Sequence, residues 1–183
     1  MNLGSGSIAR KWFICPGNRN TVRRDQPEAL QGNPELPDKI HLTVATVIEC
    51  ENHFLLVREI RDGCEVFNQP AGHVEPGETV VDAAIRETLE ETAWHIKPAG
   101  VISFSSYKAA TNGVTYYRLA LAAEAIEFDD SATIDSDIEE AVWLNYEEIL
   151  KKRSQLRSPM VLEAVDDYRA KVIYPLDLLK THR

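Results

Sequence analysis

Between residues 75 and 91 stand six carboxylates, Glu75, Glu78, Asp82, Glu87, Glu90 and Glu91, with Arg86 as the single basic side chain among them. Glutamate is a good helix former, and an acidic helix face is often only a solvated surface. Crowding of this degree gains such a surface nothing: like charges four positions apart, as Glu87 and Glu91 are, cost a helix roughly 0.2–0.5 kcal/mol. A hard divalent cation does use it, because magnesium takes oxygen ligands and keeps waters that substrate phosphates can replace. Metal binding is the economical reading of the cluster.

The segment that must position these groups is "TVVDAAIRETLEETAW", rich in helix formers, with Thr79 as a cap and Asp82 near the positive end. At about 100° per residue, with Glu87 at zero, Glu91 falls near 40° and Glu90 near 300°, so the three acids share one arc. Ala84, Thr88, Val81, Ile85 and Leu89 run from about 60° to 200°, the expected apolar stripe against a sheet. "CEVFNQPAG" reads as a short strand running into a turn, because Pro70 cannot donate to a ladder and Gly72 permits unusual dihedrals.

Residues 1–38 hold four of the nine prolines and four of the nine glycines, with no sustained period, and read as a flexible N-terminal arm. Its basic cluster of Arg19, Arg23 and Arg24 reads as solvated surface. The domain is expected to span residues 39–183. "HLTVATVIEC" and "HFLLVREI" suggest paired strands. "VISFSSYKAA" and "VTYYRLALAAEA" flank Asn112-Gly113, a hairpin dipeptide. "EEAVWL" reads as one more strand, "NYEEILKKR" as a helix capped by Asn145, and a last helix follows Ser158 as cap and Pro159. Hairpins with interleaved helices indicate an α+β class.

The chain of 183 residues carries a formal net charge of −9. It therefore has no field to attract a nucleic-acid polymer or an anionic membrane. Cys15, Cys50 and Cys64 show neither zinc spacing nor a disulfide framework. With no signal-peptide segment and no apolar run long enough to span a bilayer, a cytoplasmic protein is expected.

From Gly72 to Trp94 the sequence resembles a Nudix box, G-x5-E-x7-R-E-U-x-E-E-x-G-U with U aliphatic. Gly72, Glu78, Arg86, Glu87, Glu90 and Glu91 fall in register. Thr88 stands at an aliphatic position, which is expected to loosen helix packing, and Ala93 stands at a glycine position, which is expected to change how the helix ends. "FNQPAGH", "SDIEEAVW", "LRSPMVLEAVDDY" and "YPLDLL" extend the similarity from about His41 to about Leu179, and look like the NudJ-type subgroup of bacterial phosphatases.

The resemblance implies a mixed β-sheet sandwiched between α-helices, and hydrolysis of phosphoanhydride bonds by water attacking phosphorus. The subgroup is associated with nucleoside di- and triphosphates and with hydroxymethylpyrimidine and thiamine pyrophosphates. The implied cofactor is Mg2+, with Mn2+ as a substitute, and the implied partner is a small-molecule pyrophosphate bound by a monomer or homodimer. By analogy Glu87, Glu90 and Glu91 are ligands, the Gly72 carbonyl adds an oxygen, Arg86 orients Glu87 and Glu78 supports the loop. The general base is Glu87 or an acid outside the box, for which Glu139 is the candidate and also a possible further ligand. For the rest of the substrate, Arg58, Lys108 and Arg118 are candidate cations and His73 a candidate phosphate contact. Phe67, Tyr107 and Tyr116 are candidate stacking partners, while Trp143 reads as core. A nucleotide-binding regulatory module without catalysis is the alternative, although such modules lose box glutamates and none is missing here.

Overall fold

A computed structural model describes residues 41–109 and 113–181. The expected arm, Cys15, the three arginines of its basic cluster and Asn112 lie outside the described residues.

β1 (His41–Cys50) is the hub of a seven-stranded mixed sheet. Its aliphatic core runs parallel to β6 (Thr115–Phe128), with Val44 opposite Leu119 and Ile48 opposite Ala123. β6 pairs antiparallel with β5 (Trp94–Lys108), and β4 (Ala71–His73) pairs with the start of β1. A tight turn at Glu51 and Asn52, both at positive φ, leads from β1 into β2 (His53–Arg61). Those strands meet at two residue pairs only, Glu49 with Phe54 and Cys50 with His53. β2 then diverges to pair with β3 (Cys64–Asn68) on one side and β7 (Ile138–Asn145) on the other.

Helices cover both faces. α1 (Val80–Thr92) lays Ala83 and Ala84 against Val44, Val101, Leu119 and Leu121. On the other face α2 (Tyr146–Lys151) and α3 (Pro159–Arg169) bury Ile149, Val161 and Val165 against Val47, Phe54, Leu56, Ile102 and Ala120. This is an α+β sandwich with a mixed sheet between helices. Asn145 caps α2 through a full capping box with Glu148, whereas Ser158 precedes α3 without a side-chain cap bond and leaves the start to Pro159. Among the described residues no helix is long and apolar enough to cross a membrane.

Three local expectations change. The helix ends at Thr92, and Trp94 opens β5 instead of extending α1. Ala93 takes the left-handed conformation itself, at φ 59° and ψ 15°, and its N–H bonds the Leu89 carbonyl at 2.9 Å. The helix therefore ends as a glycine would end it, at a conformational cost of roughly 1–2 kcal/mol for a residue with a Cβ. Thr88 does not loosen the packing: it is fully buried, donates to the Ala84 carbonyl at 2.7 Å and meets the Thr46 hydroxyl at 2.9 Å.

Thr88→Val, which restores the aliphatic type, strands the buried Thr46 hydroxyl and is expected to cost about 1–3 kcal/mol. Adding Thr46→Val removes both partners and recovers most of that loss. Urea midpoints of the two single variants and the double variant check it.

Candidate active site

α1 places the acids, but not as a solvent-facing blade. Its fully buried residues are Ala83, Ala84, Thr88 and Thr92, while Val81, Ile85 and Leu89 stay partly exposed. The buried arc is thus rotated from the expected apolar stripe toward the carboxylates, and it contains the direction of Glu91. Glu87 and Glu91, one turn apart, face β4 and the sheet beneath it. Glu90 sits on the outer flank with half its side chain exposed.

Arg86 ties this helix to the loop before it. Its Nε and Nη2 donate to the two oxygens of Glu78, both at 2.9 Å, and Nη2 also donates to the His73 carbonyl at 3.0 Å. Nη1 donates to Glu87 Oε1 at 2.8 Å and Glu90 Oε2 at 3.0 Å. Glu78 in turn accepts from the Glu75 amide. The Arg86 guanidinium holds the Glu78 carboxyl below its ordinary range.

Gly72 is a glycine for a reason other than its dihedrals. It lies in β4 opposite Val44, outside the left-handed region. A Cβ added there would run into the carboxylate of Glu87, which packs directly on the strand. Burial raises the proton affinity of Glu87 despite the neighbouring Arg86. Glu91 accepts a hydrogen bond from the Ala71 amide at 2.8 Å, and burial lifts its carboxyl to about 8, with the charges of Glu87, Glu59 and Asp135 adding to the shift.

Among the described residues no three acid, histidine or cysteine side chains already converge as a metal cage. Arg86 holds oxygens of Glu87 and Glu90 in its place. The donor set nonetheless fits a hard divalent cation. All of it is oxygen, and Glu91 is a partly buried carboxylate that forms no ion pair among the described residues, which is costly without a cation.

The other candidates scatter. His73 and Tyr116 do come together, joined by His41: the His41 and His73 rings approach with nitrogens 3.1 Å apart, and Tyr116 lies 5.2 Å and 6.3 Å from them, centroid to centroid. Burial first, then His41 and Arg157, lower the proton affinity of His73. Tyr107 pairs with Tyr116 one strand further out, and Lys108 is exposed near the hairpin tip.

Phe67 is no stacking partner. It is a core residue of the α2 and α3 face, with Lys152 above its ring. Arg58 stands opposite Phe67 and Glu140 in the sheet, turned to that same face, and bonds Glu140 and Glu65. Arg118 is not a rim charge: it is buried, donates to Asn68 Oδ1 at 3.0 Å and Gln69 Oε1 at 3.3 Å, and burial brings its guanidinium down to about 10.

Glu139 borders, with Glu140 and Ala141, an open depression of about 530 Å3 at the C-terminal end of α1, where Thr92, Trp94, Phe128, Ile134 and Trp143 also line it. Trp143 is therefore half-buried at the edge of a core cluster and packs edge-to-face on Trp94. The acids that face Glu91 from outside the box are instead Glu59 and Asp135, whose amide bonds the Glu90 carbonyl at 2.8 Å. Neither was singled out in the sequence. Glu59 was detectable, because it follows Leu55 and Val57 at alternate positions of β2 and so points inward. Asp135 sits in an irregular loop and has no comparable signal.

Comparison with known proteins agrees with this geometry. Residues 39–164 match the model of the NUDIX domain. The chain is 40% identical over 141 residues to Phosphatase NudJ of Shigella boydii, covering 77% of this chain and 91% of that one, and 39% identical to Phosphatase NudJ of Escherichia coli K12 over the same shares. A solved NUDIX hydrolase from Nitrosomonas europaea superposes with a TM-score of 0.76 at 39% identity, over 79% of this chain and 98% of the other. With the box residues gathered on one helix, the loop before it and the facing strand, and with these relatives spanning most of both chains, the protein belongs to the Nudix family and is a hydrolase.

Proposed function

We propose that the protein is a Mg2+-dependent hydrolase of small pyrophosphates, with nucleoside di- and triphosphates, hydroxymethylpyrimidine pyrophosphate and thiamine pyrophosphate as the candidate substrates. The observation that carries this reading is the partly buried carboxylate of Glu91, one turn from Glu87 and without an ion-pair partner among the described residues. Glu87, Glu90, Glu91 and the Gly72 carbonyl would hold the cation, which supplies charge neutralisation and acidifies water. Hydrolysis of a phosphoanhydride depends on in-line positioning and neutralisation more than on covalent chemistry.

Glu87 is the proposed base. Its carboxylate is largely shielded, only 15% exposed, and its raised proton affinity suits it to take a proton from the attacking water. Arg86 positions that carboxylate and the Glu78 loop together. A soluble monomer or homodimer of the cytoplasm is the proposed setting.

Phosphate release from a panel of these substrates, with Mg2+ and with chelator, tests the reading. Phosphorus NMR of products formed in oxygen-18 water reports which phosphorus is attacked. Turnover that requires the metal is expected; no turnover of any pyrophosphate with Mg2+ or Mn2+ would favour the regulatory module.

A further inference from the structure

Glu59 is almost fully buried, and two arginines converge on one of its oxygens. Arg61 Nε donates to Oε2 at 2.7 Å, and Arg157 Nη1 donates to the same atom. The Glu59 side chain is 3% exposed, while those of Arg61 and Arg157 remain 46% and 43% exposed. The carboxylate is thus an internal anchor, and the two guanidiniums are its outward face.

Their direction is set by the sheet. Leu55, Val57, Glu59 and Arg61 alternate onto one face of β2, the face on which Leu55 joins Ile85 of α1. Arg58, between them, points to the other face. Arg61 reaches Asp137 at 3.5 Å and lies close enough to Glu91 to be influenced by its charge. Arg157 enters from the segment before α3, where its amide bonds the Phe67 carbonyl, and its charge is felt by both His73 and Arg118. Behind them Arg118 is pinned by the amide oxygens of Asn68 and Gln69.

Arg61 and Arg157 therefore meet on Glu59, on the face of β2 turned toward α1, and Arg118 is held by the Asn68–Gln69 turn that leads into β4, in a chain of net charge −9. Burying a carboxylate is costly, and drawing two guanidiniums onto one oxygen adds repulsion between them. A packed apolar residue would avoid both costs. An anion seated across the two exposed guanidiniums offsets them, because planar forks match phosphate oxygens in paired hydrogen bonds.

We propose that Arg61 and Arg157, spaced by the buried Glu59, form a clamp for phosphate oxygens of the substrate beside Glu91. This rests on the pyrophosphate reading above and names residues outside the box that receive the anionic tail. Glu59 acts through the arginines and is a positioning residue. The clamp explains how an acidic protein accepts a polyanion: the charge it needs is local and held in place.

The test is steady-state kinetics with Mg2+ on a nucleoside triphosphate for Arg61→Gln, Arg157→Gln, Glu59→Gln and the pair Glu59→Gln with Arg157→Gln, with Arg58→Gln as control. Each clamp arginine lost is expected to raise KM about tenfold, with kcat within about threefold. Glu59→Gln is expected to raise KM while removing no cation, and Arg58→Gln to leave KM unchanged. If the arginines served only to neutralise Glu59, the paired variant, which leaves no buried charge unpaired, would return to the wild-type KM; that result overturns the clamp. Loss of folded protein lowers the active fraction and hence apparent kcat, not KM. Should the wild type hydrolyse no pyrophosphate, the hydrolase reading fails by itself. Calorimetric titration with inorganic pyrophosphate then decides the clamp, with weaker binding by both arginine variants expected and equal binding overturning it.

Discussion

Glu91→Gln is expected to lower turnover by at least about a hundredfold and, in the same protein, to raise the stability of the metal-free form at pH 8. The two effects have one cause. Among the described residues the carboxyl meets one backbone amide and no cation, and its partial burial lifts it from 4.5 to about 8. In the unfolded chain it ionises near the ordinary value. Between those two values the folded state binds the extra proton, so stability is fullest below about pH 4.5 and is lost as pH rises through about 8.

Glutamine keeps the shape and removes the charge that has to be buried. The variant should therefore lack this part of the downward slope and melt several degrees above the wild type at pH 8 without metal. Mg2+ should narrow the gap by stabilising the wild type more, since a bound cation offsets the charge. Thermal melts from pH 5 to pH 9, with and without Mg2+, read this directly. A variant no more stable than the wild type at pH 8 would mean that the carboxylate is not stranded in the metal-free fold, and unchanged turnover would remove it from the site.

The box and its helix were legible because their information is local. A cap at Thr79, a run of helix formers and carboxylates at fixed gaps all act within a few residues, and the helix forms where that pattern lies. The strands of the central sheet were legible from their β-branched and aliphatic runs for the same reason. What the sequence did not disclose is rotation and company. The wheel drawn from hydropathy alone turned α1 by its aliphatic side chains, whereas the packed helix turns by its small ones, Ala83 and Ala84, which let it approach the sheet and carry Glu91 inward.

The substrate-side residues show the limit more sharply. Arg58 and Arg61 are three apart in one strand and look alike in sequence, yet the pleat sends them to opposite faces, one to Glu140 and the other to Glu59. Arg118 reads as a surface cation until Asn68 and Gln69, 50 and 49 positions away, are seen to enclose it. Arg157 joins Glu59 across 98 positions of chain. Such pairings follow from sheet topology, and no spacing within the sequence encodes them.

Gly72→Ala separates the site from the fold most cleanly. At a position of ordinary extended dihedrals, alanine strains nothing in the backbone, and exchange of glycine for alanine there tends to stabilise by roughly 0.4–1 kcal/mol through the unfolded chain. The added methyl, however, falls on the carboxylate of Glu87. That carboxylate is the far end of a flexible side chain and can swing away cheaply, so the fold survives while the base and ligand position is vacated. Turnover is expected to drop about a hundredfold or more with the melting temperature little changed, because a displacement on the order of 1 Å at a reacting group already costs about that factor. The double variant Gly72→Ala with Glu87→Gln should be no slower than the worse of its two single variants, since both substitutions disable the same group. Losses that multiply would show that Gly72 serves the site through its carbonyl or through the β4 backbone, and not by making room for Glu87.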